Sequence, residues 1–307
     1  MAKNIISNVF VSVLELPFDK PITSALGTYI GSDYVVVELH MTNGLIGYGY
    51  TMSLDRRGTG AVVNYIENDL APLVLNQNIS QPTDLWNNIW APNKARMRGG
   101  IGVHALSALD TAVWDAAAKT AELPLNTMLG GYRQRVPVYG SGGWLSMTDN
   151  ELLEEAQMLV EKGISAYKLK IGGERDKERV KLLRHEMGDD LILYVDGNQH
   201  YNVHDAITTS QWLAEFNVAW FEEPVLADCP WDLEDVASAS AVPIAAGENV
   251  YFAWGFQDLC TRRAVSFLQP DIGRCGGITE WIKISRLASS NNLKLTSHLL
   301  HEISASL

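Results

Sequence analysis

Six residues able to hold a cation or move a proton recur through the second half of the chain at intervals of 23 to 27 positions: Lys170, Asp196, Glu222, Glu248, Asp271 and His298. Three of them, Asp196, Glu222 and Glu248, are consecutive in this series and offer only carboxylate oxygens. Such a set suits a hard dication, Mg²⁺ first, with water and substrate completing its octahedron. A bound cation would also relieve the repulsion among three anions held close together. Lys168 and Lys170 are two apart, so on a strand both point to one face while Tyr167 and Leu169 point to the other. Two ammonium groups on an inner face call for anionic partners. Asp271 and His298 fall on successive strands, where the carboxylate can accept a hydrogen bond from the imidazole and raise its basicity. Two bases flanking a Lewis acid form a device for removing the α-proton of a carboxylate, because the cation carries the charge of the enediolate. Lys168 and the cation would both lower the pKa of Lys170 toward neutrality.

The elements that must position these groups follow from the same interval. Each of the six closes a short apolar run, and helix-like segments separate them, which is the pattern of an α/β protein with a parallel sheet. Polar groups at the C-terminal ends of successive strands point to a (β/α) barrel of the TIM type. Strand-like runs end near Ser141, Lys170, Asp196, Glu222, Glu248, Asp271 and His298. An eight-stranded barrel needs one strand more, so the C-terminal strand and tail are expected to be missing, about 40 to 70 residues by barrel size.

The first part of the chain reads differently. Residues 4 to 17 and 34 to 51 alternate as strands, and Asn43-Gly44 marks a hairpin turn. The stretches PITSALGTYIGSD and SLDRRGTG read as mobile loops. Helical periodicity takes over from about residue 58, giving an α+β module. Later, Thr148 and Glu151 make a capping box, and Gly163 ends the helix they start. The expected division is an N-terminal α+β capping domain over residues 1–132 and a barrel domain over 133–307.

Bulk properties narrow the partners. The chain has 307 residues and a formal net charge of −12, without the basic surface that nucleic acid or an anionic membrane would require. Three cysteines without a CxxC pair suggest neither a disulfide framework nor a thiolate metal site, and fit a reducing cytoplasm. No run of about 18 apolar residues occurs, so no membrane span is expected. No G-x-G-x-x-G opens a helix after the first strand, which excludes a dinucleotide fold.

The motifs YKLKIG, VDGNQ, FEEP, GEN, QPDIGRCGGIT and SHLLHEIS together resemble those of the enolase superfamily, specifically its mandelate racemase subgroup. The resemblance runs over nearly the whole chain. It implies Asp196, Glu222 and Glu248 as Mg²⁺ ligands, with the first Glu of FEEP in the ligand position. It implies Lys170 as one acid/base and His298, paired with Asp271, as the other. Lys168 then matches an electrostatic helper, Asn198 a polar contact to substrate and Ser141 a contact to the substrate carboxylate. Residues 18–33 and 50–60 would cover the substrate, with Arg56 and Arg57 available to a second carboxylate or a polyol. The resemblance further implies an acidic group from an eighth strand, for which this sequence offers no match. The substrate expected is a small carboxylate and the assembly a homo-oligomer. The reaction expected is dehydration of an acid sugar to a 2-keto-3-deoxy acid. Racemisation or epimerisation of a 2-hydroxy acid, cycloisomerase-like chemistry and a non-catalytic binding barrel stay open.

Overall fold

The computed structural model describes residues 4–131 and 133–307, so the boundary expected at 132 falls on a residue outside the described ones. Strands β1 (Ile6–Ser24), β2 (Gly27–Met41) and β3 (Ile46–Leu54) form an antiparallel sheet in that order. Alternation decides its inner face: Val35, Val37, Leu39 and Met41 of β2 are buried, and the residues between them are not. Gly44 turns the β2–β3 hairpin with φ of 85°.

The stretch 21–33, expected as a mobile loop, is instead the far end of the first hairpin. Pairing breaks between Pro17 and Ile22, then resumes with Ile22 opposite Tyr29 and Thr23 opposite Thr28. The two threonine hydroxyls hydrogen-bond at 2.9 Å, a cross-strand pair that outweighs the turn-like composition of this stretch.

Helices cover the inner face of the sheet. α1 (Thr59–Tyr65) passes through a π-helical turn at Ile66–Leu70 into α2 (Ala71–Val74), and α3 (Pro82–Asn93), α4 (Ile101–Thr120) and α5 (Leu125–Met128) follow. Helix α4 is rich in alanine and buried on most sides, so a backbone can approach it closely. Gly47 and Gly49 of β3 make that approach. A Cβ on either would stand 2.3 Å from the Ala112 carbonyl or 2.1 Å from that of Ala108.

The second part alternates strand and helix: β4 (Gly140–Gly142), α6 (Asp149–Glu161), β5 (Ala166–Lys170), α7 (Asp176–Met187), β6 (Ile192–Asp196) and α8 (Val203–Glu215). It continues with β7 (Val218–Glu222), α9 (Pro230–Ala239), β8 (Ile244–Ala246), α10 (Phe252–Arg262), β9 (Phe267–Leu268), α11 (Ile278–Ser290), β10 (Lys294–Leu295) and α12 (His301–Ser304). The described strands form a parallel sheet of seven, ordered from β4 to β10, curled into a half-barrel with β4 and β10 at its edges. The capping box at Thr148 is present and starts α6, while Gly163 takes φ of 81° after its end. Every residue of β5 is buried, as expected of a strand covered on both faces.

The two parts are bolted together by polar groups. Asp110 of α4 accepts from the Thr279 backbone N–H and hydroxyl, both at 2.8 Å, and so caps α11 from across the joint. Trp114 donates to the Thr279 hydroxyl and Trp86 to the Gly276 carbonyl, each at 2.9 Å. Thr51 of β3 donates to the Gly273 carbonyl at 2.8 Å. Among the described residues, no helix is long and apolar enough to cross a membrane.

Candidate active site

Parallel register places the expected groups in one row: Lys170 is opposite Asp196, and Asp196 is opposite Glu222. Lys168 lies two residues below on the same face, with Ser141 opposite it on β4. The remaining groups stand beyond their strands. Glu248 follows β8 by two residues, and Asp271 and His298 follow β9 and β10 by three, joined by an isolated parallel bridge of their own. At the level of Lys168 the barrel is filled by aromatic rings. Tyr194 stacks on Trp220 with centroids 3.5 Å apart, and Tyr139 and Phe267 close on Trp220 at 5.3 and 5.0 Å. These rings line the cavity below the polar row.

Charges in the row are compensated in pairs. Lys170 Nζ lies 2.5 Å from Asp196 Oδ2, and Lys168 Nζ lies 2.5 Å from Glu222 Oε1 and 3.6 Å from Asp196 Oδ2. Burial alone would lower the Lys168 pKa, but the carboxylate of Glu222 foremost, with Tyr139, Asp196 and Glu248, holds it well above its ordinary value. Lys168 is therefore a fixed cation. Burial would raise Asp196, yet Lys170 and Lys168 keep its carboxyl below the usual range.

On the other side, His298 Nδ1 lies 2.7 Å from Asp271 Oδ2. Its Nε2 lies 3.1 Å from Glu248 Oε2 but outside hydrogen-bond geometry, so that buried oxygen has no hydrogen-bond donor. Burial would raise Asp271, but Arg274 and then His298 hold it below the usual carboxylate range. One oxygen from each of Asp196, Glu222 and Glu248 lies within 4.8 Å of the others. An all-oxygen set with an orphaned buried carboxylate oxygen fits a hard dication, which would supply the missing partner.

Asn198 is buried with φ of 42°; its side chain and backbone N–H both bond Asp196, and its Oδ1 is left without a partner. Ser141 is exposed. A cavity of about 2190 Å³ is lined by Ser141, Lys168, Lys170, Asn198, Glu248 and His298, and on the cap side by Tyr29, Tyr34 and Met52. Arg56 and Arg57 stand apart from it. Arg56 pairs with Glu15 and approaches Asp33 at 3.8 Å. Arg57 is close to the Tyr29 ring and lines a side pocket of about 200 Å³ together with His104 and Arg274.

Several contributors were not singled out from the sequence. Gln269 is buried and donates to Glu222 Oε2 at 2.8 Å; it follows β9 directly and lies two residues before Asp271. Glu223 is buried beside Glu222, its carboxyl pushed well up by burial and by the charges of Glu248 and Asp196. Asn249 donates to both Glu223 oxygens at 3.0 Å and to Glu248 at 3.3 Å. Arg179, on α7, donates to the carbonyls of Lys170, Gly143 and Trp144 at 2.8 to 2.9 Å, fixing the end of β5 against the end of β4. The Trp144 ring lies 5.2 Å from Lys170 Nζ.

Comparison with known proteins gives the same outline. A family model described as mandelate racemase / muconate lactonizing enzyme, N-terminal domain, matches residues 7–130, and one described as enolase C-terminal domain-like matches residues 151–307. The chain is 31% identical to a 3,6-anhydro-alpha-L-galactonate cycloisomerase of Streptomyces coelicolor over 302 residues, 97% of this chain and 83% of that protein. It is 32% identical to an arabinonate dehydratase of Saccharolobus solfataricus over 271 residues, 87% of this chain and 72% of that one. A crystal structure of an enolase from Bradyrhizobium complexed with magnesium and mandelic acid superposes with a TM-score of 0.93 at 29% identity, covering 100% of this chain and 85% of that one. By its motifs, its fold and these matches, the chain belongs to the mandelate racemase / muconate lactonizing enzyme family of the enolase superfamily.

Proposed function

We propose that the protein is a Mg²⁺-dependent lyase that removes the α-proton of a sugar acid and expels the β-hydroxyl, giving a 2-keto-3-deoxy acid. The observation that carries this reading is the placement of Lys170 and His298 on opposite sides of the carboxylate row, each in contact with one of its members. Asp196, Glu222 and Glu248 would hold the ion, whose contribution is to stabilise negative charge on the substrate carboxylate as the α-proton leaves. Lys170 takes that proton. His298 Nε2 delivers a proton to the β-hydroxyl as the C–O bond breaks, so water departs and the enol product tautomerises to the ketone. Asp271 holds the imidazole through Nδ1, Lys168 keeps a fixed positive charge beside the substrate carboxylate, and Asn198 and Ser141 offer hydrogen bonds to it.

The arabinonate dehydratase among the relatives supports this fate of the enolate. The same reading assigns residues 1–132 to a cap and 133–307 to the barrel, with the cap shaping the cavity above the reacting carbon. Free Cys229, Cys260 and Cys275 support a cytoplasmic setting.

The test is incubation with a panel of aldonic and aldaric acids in D₂O with Mg²⁺. Ketoacid formation is expected with at least one of them. α-Deuteration without ketoacid would indicate racemisation instead. Either product surviving in the double variant Lys170→Ala with His298→Asn would rule out both residues as the bases.

A further inference from the structure

Arg274 closes a ring of charge that runs through three strand ends. It sits in the loop after β9, its side chain mostly buried, with its backbone N–H bonded to the Asp271 carbonyl at 3.0 Å. Its Nε lies 3.4 Å from Asp271 Oδ2, while its Nη1 lies 3.6 Å from Glu248 Oε1 and donates to the Glu248 carbonyl and to Asn249 Oδ1, both at 3.3 Å. His298 spans the same two carboxylates from the other side, through Nδ1 to Asp271 and Nε2 to Glu248. Two carboxylates are thus bridged twice, once by a guanidinium that is always charged and once by an imidazole that must exchange its proton. The remaining groups facing Arg274 are Glu223, held through Asn249, and Tyr251 and His104 from neighbouring elements. His104 is pushed down to about 4 by burial and by Arg274 itself, so near neutrality it adds no competing charge.

We propose that Arg274 is a positioning residue that sets the separation of Glu248 and Asp271, so that one side chain fixes both an ion ligand and the carboxylate that orients His298. This rests on the proposed function for the roles of Glu248 and His298, but the geometry it claims can be read without turnover. A guanidinium reaches two carboxylates at once because its donors diverge in a rigid plane; a lysine at the same place is a point charge and reaches one.

The experiment compares wild type, Arg274→Gln and Arg274→Lys by three measurements. Mg²⁺ affinity is read by calorimetry. The hydrogen-bonded Nδ1 proton of His298 is read by ¹H NMR of the metal-free protein, assigned with His298→Asn. Folding is read by thermal melting. In Arg274→Gln, Mg²⁺ affinity is expected to fall about tenfold or more, the usual effect of losing a group that orients a ligand, and the Nδ1 proton to move or vanish. Arg274→Lys is expected to lie between, with the proton still displaced. Wild-type affinity and an unmoved Nδ1 proton in a variant that merely melts earlier would reduce Arg274 to structural filling and overturn the proposal. Should Arg274→Gln not fold, Arg274→Lys decides by the same criteria. If the wild type itself fails to bind Mg²⁺, the proposed function falls, and the Nδ1 proton still reports whether Arg274 sets the geometry.

Discussion

The imidazole of His298 and the carboxylate of Asp271 come from loops after neighbouring strands, yet they meet at 2.7 Å and share a backbone bridge. The bridge means the pair is built by the main chain, not only by side-chain attraction. Removing the charge of Asp271 while keeping its shape should therefore leave the fold and alter the chemistry. For Asp271→Asn, the step assigned to His298 is expected to slow by about 10²- to 10⁴-fold, the range for a misaligned general acid or base. Exchange of the α-proton through Lys170 should persist. Loss of both in equal measure, followed by NMR in D₂O, would show that the two bases are not separable.

Glu248 leaves an oxygen buried without a hydrogen-bond donor, next to two other acidic groups. Mg²⁺ should therefore stabilise the folded protein, by about 2.7 kcal/mol when its concentration is a hundred times the dissociation constant. Glu248→Gln should abolish most of that gain, because a neutral amide lacks the charge a carboxylate brings to a hard dication. A thermal melt that ignores Mg²⁺ in wild type would contradict the carboxylate site.

The positions of Lys170, Asp196 and Glu222 could be read from the sequence because each closes a regular strand in one row, with Lys168 two residues below on the same face. Glu248, Asp271 and His298 stand two or three residues past short strands, where pattern gives the neighbourhood but not the direction of a side chain. Arg274 and Asn249 were less accessible still. Their importance comes from contacts between loops, and no periodicity encodes which loops meet. The long β1–β2 hairpin was hidden for a different reason: its threonine and glycine content mimics a loop, while the cross-strand partners that make it a sheet lie on the other arm. Arg56 and Arg57 show the converse: a conspicuous pair of charges stands outside the lining of the main cavity, Arg56 paired with Glu15 and Arg57 behind the Tyr29 ring that lines it.

Asp110 provides a pH test of the joint between cap and barrel. Burial pushes its carboxyl from 3.8 up to about 7. Between those values the folded protein keeps a proton that the unfolded chain has released, so stability should fall as pH rises from about 4 to about 7. Asp110→Asn keeps an acceptor for the Thr279 N–H without the ionisation, so its stability curve should be flatter over that window. The difference between the two curves is expected to change by on the order of 2–4 kcal/mol across it. Parallel curves would mean that Asp110 is ionised at little cost.

Arg179 is buried and spends its guanidinium on three backbone carbonyls. Arg179→Met should cost about 2–4 kcal/mol, since the carbonyls lose donors they cannot replace. Activity should fall further than the loss of folded protein explains, because the Lys170 carbonyl is one of the three. Specific activity per folded molecule, measured beside urea unfolding, separates the two effects; an unchanged value would confine Arg179 to stability.

The contact of Gly47 and Gly49 with α4 leaves no slack between strand and helix. A close-packed seam of this kind resists sliding. The same helix is anchored to α11 through Asp110, so the sheet, α4 and the barrel wall form one stiff frame. The tip of the β1–β2 hairpin, whose Ser24 and Leu26 line the cavity, is tied to the same frame where the Leu145 N–H meets the Thr23 carbonyl at 2.8 Å, so a small residue in the wall helps fix how the chamber is roofed.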